Sequence, residues 1–189
     1  MSIQIIPVHL RKDVTTKDDL VELLIQSKTG RQLKNGDILV FTQKIISKQE
    51  GRKIELAKVK PTLFATGIAS AYNKDPRIVQ LILDETKRII RMKNGIIISE
   101  THHGLVCANA GVDESNIEEG YATILPNNSD KSAQKLKRQI KSKTGKNVAV
   151  IISDTFGRPF REGQTDVAIG IAGISFKKLI HGYFFHPWI

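Results

Sequence analysis

The sequence predicts a mixed fold of helices and strands, of the α/β or α+β class. Three observations lead to this prediction. A run of β-branched and apolar residues at 147–153 directly follows a helical segment, and several other short apolar runs are bounded by turn residues. Hydrophobic residues form 40% of the 189-residue chain and charged residues 25%, a balance typical of globular proteins that excludes global disorder.

Helical signals recur at four places. Asp19 favours a helix N-terminus by its charge, Thr16 has the spacing of its capping partner, and Gly30 ends the segment. Asp75-Pro76 predicts the start of another helix, because proline suits the first helical position. In chain order the helices are predicted at residues 16–30, 62–72, 75–90 and 130–144.

Strands are predicted where apolar runs are short and end at turn residues. The pair His102-His103 lies between two such runs, so these two strands should form a hairpin. In chain order the strands are predicted at residues 2–6, 37–42, 95–99, 104–108, 121–125, 147–153 and 166–174.

The formal net charge of +10 indicates polyanionic partners, namely nucleic acid, nucleotides or phosphorylated metabolites. The charge is concentrated in residues 131–146, which hold six lysines and one arginine but no acid; without them the net charge would be +3. No aromatic residue interleaves with these cations, so a solvated outer helix face is favoured over nucleic-acid binding.

Several classes are excluded or disfavoured by simple features of the sequence. The longest apolar runs have four or five residues, so no segment is expected to span a membrane. The N-terminus lacks the basic and apolar regions of a signal peptide, which together with the absence of a membrane segment predicts a cytoplasmic protein. Cys107 is the only cysteine, and a buried small side chain is favoured there over a nucleophile.

Polar clusters in loops and at strand ends are the candidate site. Asp154 follows the apolar run that ends at Ile152, and open sheets bind ligands at such carboxyl ends. Carboxylate and hydroxyl oxygens from Asp154 and Thr155 would suit Mg²⁺ or Mn²⁺, which commonly bridge phosphates. Arg158 and Arg161 could hold phosphate or carboxylate groups in a bidentate manner.

Each of these residues also has a purely structural interpretation. Asp154 could cap a turn with both arginines solvated, and Asp113 could form an Asx-turn or an N-cap. His102 and His103 would face opposite sides of a strand, which is poor for joint metal binding. The sequence contains neither a Walker loop nor a GxGxxG motif, so the two commonest glycine-rich nucleotide motifs are absent.

Three motifs in order give the sequence a specific resemblance. They are ISKxEGR at residues 46–52, ETxHGxVCANAGVDxSN at residues 100–116 and SDTxGRPxRxG at residues 153–163. Together they resemble the coenzyme F420-0:gamma-glutamyl ligase family, and the likeness runs from Pro7 to about Ile174. The resemblance implies the family-specific α+β ligase fold, with mixed sheets and flanking helices.

The resemblance also implies an activity. A member of this family uses GTP to phosphorylate the terminal carboxylate of coenzyme F420-0, and the amine of L-glutamate then displaces phosphate to form an amide. Further γ-linked glutamates can follow. The cofactors implied are two Mg²⁺ or Mn²⁺ ions, and also K⁺, and a homodimer with sheets from both chains is expected.

Site residues follow from the same resemblance. Asp113, Asp154 and Thr155 match metal contacts, while Arg158 and Arg161 are added on charge grounds as binders of phosphate or substrate. The positions implied in nucleotide contact are His9, Leu10, Arg11, Lys12, Gln43, Lys44, Lys48 and Asn116.

The C-terminal segment departs from the family pattern. Residues 1–174 are expected to form the ligase-like domain, and residues 175–189 a divergent tail whose last seven residues carry four of the chain's eleven aromatic residues. Family members continue beyond this point with a further GTP-binding segment and a metal ligand, so the chain is expected to be truncated and weak in turnover. The alternatives are a non-catalytic scaffold and a basic nucleic-acid-binding module.

Overall fold

A computed structural model describes residues 3–10, 12–115, 117–157 and 164–174. These residues contain five α-helices and eight strands, and the strands form three small sheets. This mixture confirms the predicted α+β class. The predicted tail at 175–189 lies outside the described residues, as do four of the predicted site residues, Arg11, Asn116, Arg158 and Arg161.

Helices and strands are mixed along the chain. In order they are α1 (Leu20–Gln26), β1 (Ile38–Thr42), α2 (Gln43–Gln49), β2 (Lys53–Glu55), α3 (Leu63–Tyr72), α4 (Pro76–Asp84), β3 (Thr86–Lys93), β4 (Ile96–Thr101), β5 (Val106–Ala108), β6 (Tyr121–Thr123), α5 (Ser129–Thr144), β7 (Ala149–Gly157) and β8 (Gln164–Ala172).

The sheet that positions the candidate site has the strand order β1-β7-β8. β1 runs parallel to β7, with Thr42 opposite Ser153, and β8 runs antiparallel to β7. Helices α1, α2 and α5 cover one face, where Val150 and Ile152 of β7 are fully buried against a core that includes Ile46 and Ile140. Because β1 and β7 are parallel, their carboxyl ends lie at the same edge of this sheet.

A second core lies between helices α3 and α4 and the other two sheets. β3, β4 and β5 form an antiparallel sheet in that order, and β2 pairs with β6. Val79 and Ile82 of α4 and Ile97 of β4 are fully buried there. Burying side chains of this size contributes about 1.5 to 3 kcal/mol each, so the two cores together provide most of the stabilisation.

Local signals account for several helix ends. The Asp19 carboxylate caps α1 by accepting hydrogen bonds from the main-chain N–H groups of Val21 and Glu22. Asp75 caps α4 in the same way, with Pro76 at the first helical position as predicted. Gly145 ends α5 with a φ of 70°, a conformation that favours glycine.

Two of the predicted elements are wrong. The described part of the segment 2–6 is neither helix nor strand. The helix predicted to continue to Ile90 ends at Asp84, and β3 follows it and pairs with β4. Apolar side chains at residues 89 and 90 fitted a helical spacing, but the long-range pairing with β4 decides the structure there.

Helix α2 was not predicted, although its residues carry the first of the three motifs. It has only seven residues and two buried polar side chains, Gln43 and Ser47, which obscure its apolar face. The Ser47 hydroxyl donates to the carbonyl of Ile124 at 2.7 Å, so a contact far away in sequence stabilises the helix. Within the described part of the chain, the helices are too short or too polar to cross a membrane.

Candidate functional site

Three charged side chains come together at the carboxyl edge of the β1-β7-β8 sheet. Lys44 is the second residue of α2, immediately after β1, and Asp154 lies one residue beyond the Thr42–Ser153 pair in β7. Asp113 comes from the segment that follows a short 3₁₀ turn at Asn109–Gly111 and bridges to Thr123, the last residue of β6. The site therefore combines the first turn of a helix, one strand and one loop.

Lys44 and Asp113 form an ion pair. The Lys44 Nζ atom lies 2.6 Å from Asp113 Oδ2. It also donates to the carbonyl oxygen of Ser115 at 2.7 Å and to the Ser115 hydroxyl at 2.8 Å. Both side chains are largely shielded, with 19% of Lys44 and 36% of Asp113 exposed, so the pair is held more firmly than a solvated surface pair.

Asp113 is an Asx-turn residue as well as a candidate ligand. Its Oδ1 accepts from the main-chain N–H of Ser115 at 2.7 Å, and its Oδ2 accepts from the Ser115 hydroxyl at 3.0 Å. Burial alone would raise the pKa of Asp113, but the hydrogen bonds from Lys44 and Ser115 outweigh it and hold the pKa below its ordinary value. The carboxylate is therefore ionised at neutral pH. The turn proposed as a structural alternative is present, and it orients the same carboxylate.

The pKa of Asp154 is shifted in the opposite direction from that of Asp113. Its side chain lies on the same face of β7 as the buried side chains of Val150 and Ile152, because alternate residues of a strand share a face. Asp154 itself is half-buried. Burial raises the pKa of Asp154 above its ordinary value, and the charges of Asp113 and Asp166 add to the rise. The Lys44 charge opposes the rise, so one ammonium group acts on both carboxylates.

The prediction that Asp154 follows its strand is wrong, because pairing with β8 extends β7 to Gly157. Successive side chains in a strand face opposite sides, so Thr155 points away from Asp154. The Thr155 hydroxyl donates to Asp166 Oδ1 at 2.7 Å on that other face. The two side chains are thus placed on different sides of the sheet, and the role of Thr155 as a metal contact stays a prediction.

The residues predicted to contact nucleotide are placed in different surroundings. Gln43 is buried, and its amide donates to the Ser47 hydroxyl at 2.6 Å, so its side chain lies inside the protein. Lys48 follows Lys44 by one helical turn, and its Nζ lies 3.9 Å from Asp13 Oδ1. His9 is exposed, Leu10 packs on the first core, and Lys12 pairs with Asp18.

The chemistry of the donor set fits a hard divalent cation. Among the described residues no group of three or more His, Cys, Asp or Glu side chains could hold a metal ion. Two carboxylates are nevertheless enough for Mg²⁺, which usually keeps several waters and takes further oxygens from substrate phosphates. Asp113 and Asp154 provide such oxygens, and the Lys44 ammonium already brings positive charge to them.

Two residues of this region were given no role from the sequence. Ser115 binds both Lys44 and Asp113, and Asp166 contacts Thr155 and raises the pKa of Asp154. Ser115 lies two residues after Asp113, which is the spacing of an Asx-turn and could have identified it. Asp166 had no such signal, because its position depends on the register of β7 and β8.

The two histidines lie at the tip of a hairpin, as predicted. His102 Nε2 is 3.1 Å from the carbonyl oxygen of Asp84, and His103 Nε2 is 3.0 Å from that of Asn127. The two rings therefore bind separate main-chain groups.

Cys107 should be almost inert to thiol reagents in the folded protein. It is buried in β5, and burial, together with the charge of Asp154, raises the pKa of the thiol to about 11. Since the thiolate is the reactive form, we expect the folded chain to react roughly two hundredfold more slowly at pH 8 than the chain unfolded in guanidinium. Reaction with Ellman's reagent measures both rates, and equal rates would contradict the burial of Cys107.

A comparison with known proteins places the chain in a family of ligases. The model of the F420-0:Gamma-glutamyl ligase family matches residues 10–183. The match extends past Ile174, where the resemblance in the sequence motifs ends. The chain therefore belongs to the F420-0:Gamma-glutamyl ligase family, as its motifs predicted.

Similar proteins carry one name, coenzyme F420:L-glutamate ligase. The protein of that name from Methanothermobacter thermautotrophicus is 48% identical over 177 residues, which cover 93% of this chain and 70% of the relative. The protein from Methanopyrus kandleri is 45% identical, covering 92% and 68%. The protein from Archaeoglobus fulgidus is 39% identical, covering 94% and 70%.

Proposed function

We propose that this chain is a GTP-dependent ligase that joins L-glutamate to coenzyme F420-0 through an amide bond. The observation that carries the proposal is family membership, with 48% identity to a coenzyme F420:L-glutamate ligase over 93% of the chain. The cluster of Lys44, Asp113 and Asp154 supports the nucleotide part of the proposal, because paired carboxylates beside a lysine suit a metal-bound triphosphate.

The proposed reaction has two steps. A carboxylate oxygen of F420-0 attacks the γ-phosphorus of GTP, which forms an acyl phosphate and releases GDP. The neutral amine of L-glutamate then attacks the acyl carbon, inorganic phosphate leaves with the bonding electron pair, and the nitrogen loses a proton. Phosphorylation is needed because a free carboxylate is a poor electrophile, and phosphate provides the leaving group.

The residues of this chain act mainly by position and charge. Asp113 and Asp154 would hold Mg²⁺ or Mn²⁺, which when bound offsets charge on the triphosphate. Lys44 and Lys48, one turn apart on α2, bring two cations to the edge of the sheet where that triphosphate would lie. Fixed cations of this kind lower the barrier of phosphoryl transfer because they hold the reacting groups in line and stabilise the negative charge on the transferred group.

Other parts of the proposal rest on the family resemblance alone. These are the nucleotide contacts of the segment 9–12 and of Asn116, and the use of K⁺. The roles of Arg158 and Arg161 as phosphate or substrate binders are proposed from their charge. The homodimer is also proposed. The outer face of the β1-β7-β8 sheet supports it, because Ile38 and Val40 are 58% and 63% exposed there. Light scattering at micromolar concentration would measure the oligomeric state.

The experiment that tests the function measures binding first and turnover second. Calorimetric titration should detect GTP binding in the presence of Mn²⁺ and lose it in excess EDTA, while ATP binds more weakly. Mass spectrometry then follows the addition of glutamate to F420-0. An equal affinity for GTP with Mn²⁺ and with EDTA would contradict the proposal, and so would a higher affinity for ATP than for GTP.

A further inference from the structure

The ammonium group of Lys44 is completely coordinated by one short segment of the chain. Its three donors meet three oxygens within 2.8 Å, the Asp113 carboxylate, the Ser115 carbonyl and the Ser115 hydroxyl. An ammonium group has three N–H donors, so none is left for another partner. The contacts join residues 71 positions apart in the sequence and connect the start of α2 to the loop at 113–115.

The Asp113 carboxylate is engaged at both oxygens, and most fully at Oδ2. Its Oδ2 takes Lys44 and the Ser115 hydroxyl, and its Oδ1 takes the Ser115 main-chain N–H. A metal ion needs direct contact with a carboxylate oxygen at about 2.0 to 2.6 Å. An ammonium group at 2.6 Å from Oδ2 stands in the place of such an ion. Metal and ammonium therefore cannot share that oxygen in this arrangement.

We propose that Lys44 is the resident cation of the metal-free site and is displaced from Asp113 when a divalent ion binds. The inference rests on the proposed function for the metal and for the triphosphate. Lys44 balances Asp113 in the free protein, and the arriving ion takes over that balance. The released ammonium, on the first turn of α2, is then free to contact a phosphate of the nucleotide.

This proposal gives Lys44 two effects of opposite sign. Removing its charge should strengthen binding of the metal alone, because the ion no longer competes with an internal cation. The same change should weaken binding of the nucleotide, because a phosphate contact is lost. A merely structural role for Lys44 would weaken both, since the loop at 113–115 would lose its anchor.

The test is a titration of Mn²⁺ alone into Lys44→Gln and into the wild type. We expect the variant to bind Mn²⁺ about fivefold more tightly, as for the loss of one partly shielded ion pair, and Mn²⁺–GTP about tenfold more weakly. Lys143→Gln is the matched control. It removes the same charge from a lysine that pairs with Asp19 and Glu22 at 2.8 and 2.9 Å, and Mn²⁺ affinity should not change.

Unchanged or weaker Mn²⁺ binding by Lys44→Gln, or binding by neither protein, overturns the proposal. Failure of the proposed function would instead appear as wild-type protein that does not bind GTP, in a separate titration. If Lys44→Gln does not fold by circular dichroism, NMR of the wild type decides. The Lys44→Arg variant identifies the Lys44 ammonium signal, because that signal is absent from its spectrum. In the wild type this signal should shift when Mg²⁺ is added, and an unchanged chemical shift overturns the proposal.

Discussion

Replacing Asp154 with asparagine should abolish metal-dependent GTP binding and, at the same time, stabilise the ligand-free protein at neutral pH. The first effect follows because the amide has no charge with which to hold a divalent ion. We expect a loss of at least about a hundredfold in GTP affinity in the presence of Mn²⁺, because even the loss of a residue that only orients a metal ligand costs about 10- to 100-fold. Calorimetric titration measures it.

The second effect follows from the pKa of Asp154. A carboxyl group whose pKa is higher in the folded protein than in the unfolded chain keeps its proton longer in the folded state. The free energy of unfolding therefore falls as the pH rises above the unfolded value of 3.8 and through the raised folded value. Asparagine has no such dependence, so the variant should gain stability over the wild type as the pH rises through this window.

A control variant separates these effects from a general change of charge. Asp84→Asn removes a carboxylate that is exposed and accepts a hydrogen bond from Gln80 at 2.7 Å. It should leave GTP binding unchanged and should not reproduce the rise in stability. Urea unfolding at pH 5 and pH 7.5 gives the stabilities of the three proteins. Undiminished GTP binding by Asp154→Asn would contradict its role as a ligand.

Gly170→Ala should be among the most destabilising single changes in the first core. Gly170 is buried in β8, and a Cβ atom there would lie 2.5 Å from the carbonyl carbon and oxygen of Ser129, the first residue of α5. Main-chain atoms cannot rotate away as a side chain can, so α5 must move off the sheet. We expect a loss of about 3 kcal/mol in the free energy of unfolding.

The same substitution at Gly67 should have the opposite sign. Gly67 lies inside α3, and a Cβ atom there would meet nothing within 4 Å. Alanine reduces the freedom of the unfolded chain and favours the helix, so a gain of about 0.5 to 1 kcal/mol is expected. Urea midpoints at unchanged slope measure both variants, and a stable Gly170→Ala protein would contradict the close packing of α5 on β8.

Local sequence signals predicted those features that depend on neighbouring residues. The capping of α4 by Asp75 and Pro76 needs no information from elsewhere in the chain, and it was confirmed. The end of the same helix at Asp84 was missed, because β3 forms by pairing with β4. The competition between helix and strand at residues 86–90 is decided by that pairing, which composition alone does not reveal.

The site shows the same division. The motifs identified Asp113 and Asp154 as candidates, and an Asx-turn was one of the structural alternatives given for Asp113. The ion pair of Lys44 with Asp113 joins two motifs, and its geometry follows only from the folded chain. The opposite orientations of Asp154 and Thr155 depend on the extension of β7 by β8, so neighbouring residues in one motif face different sides.

The parallel pairing of β1 with β7 also has a consequence for folding during synthesis. Ile38 pairs with Ala149, so about 110 residues must be made after β1 before its partner exists. At a synthesis rate of about 5 to 20 residues per second, β1 stays without its partner strand for roughly 5 to 20 seconds. An unpaired strand with apolar residues such as Ile38 and Val40 can associate with other chains until β7 pairs with it. Lys44 and Asp154 also meet only when this late pairing closes, so the candidate site is assembled near the end of folding.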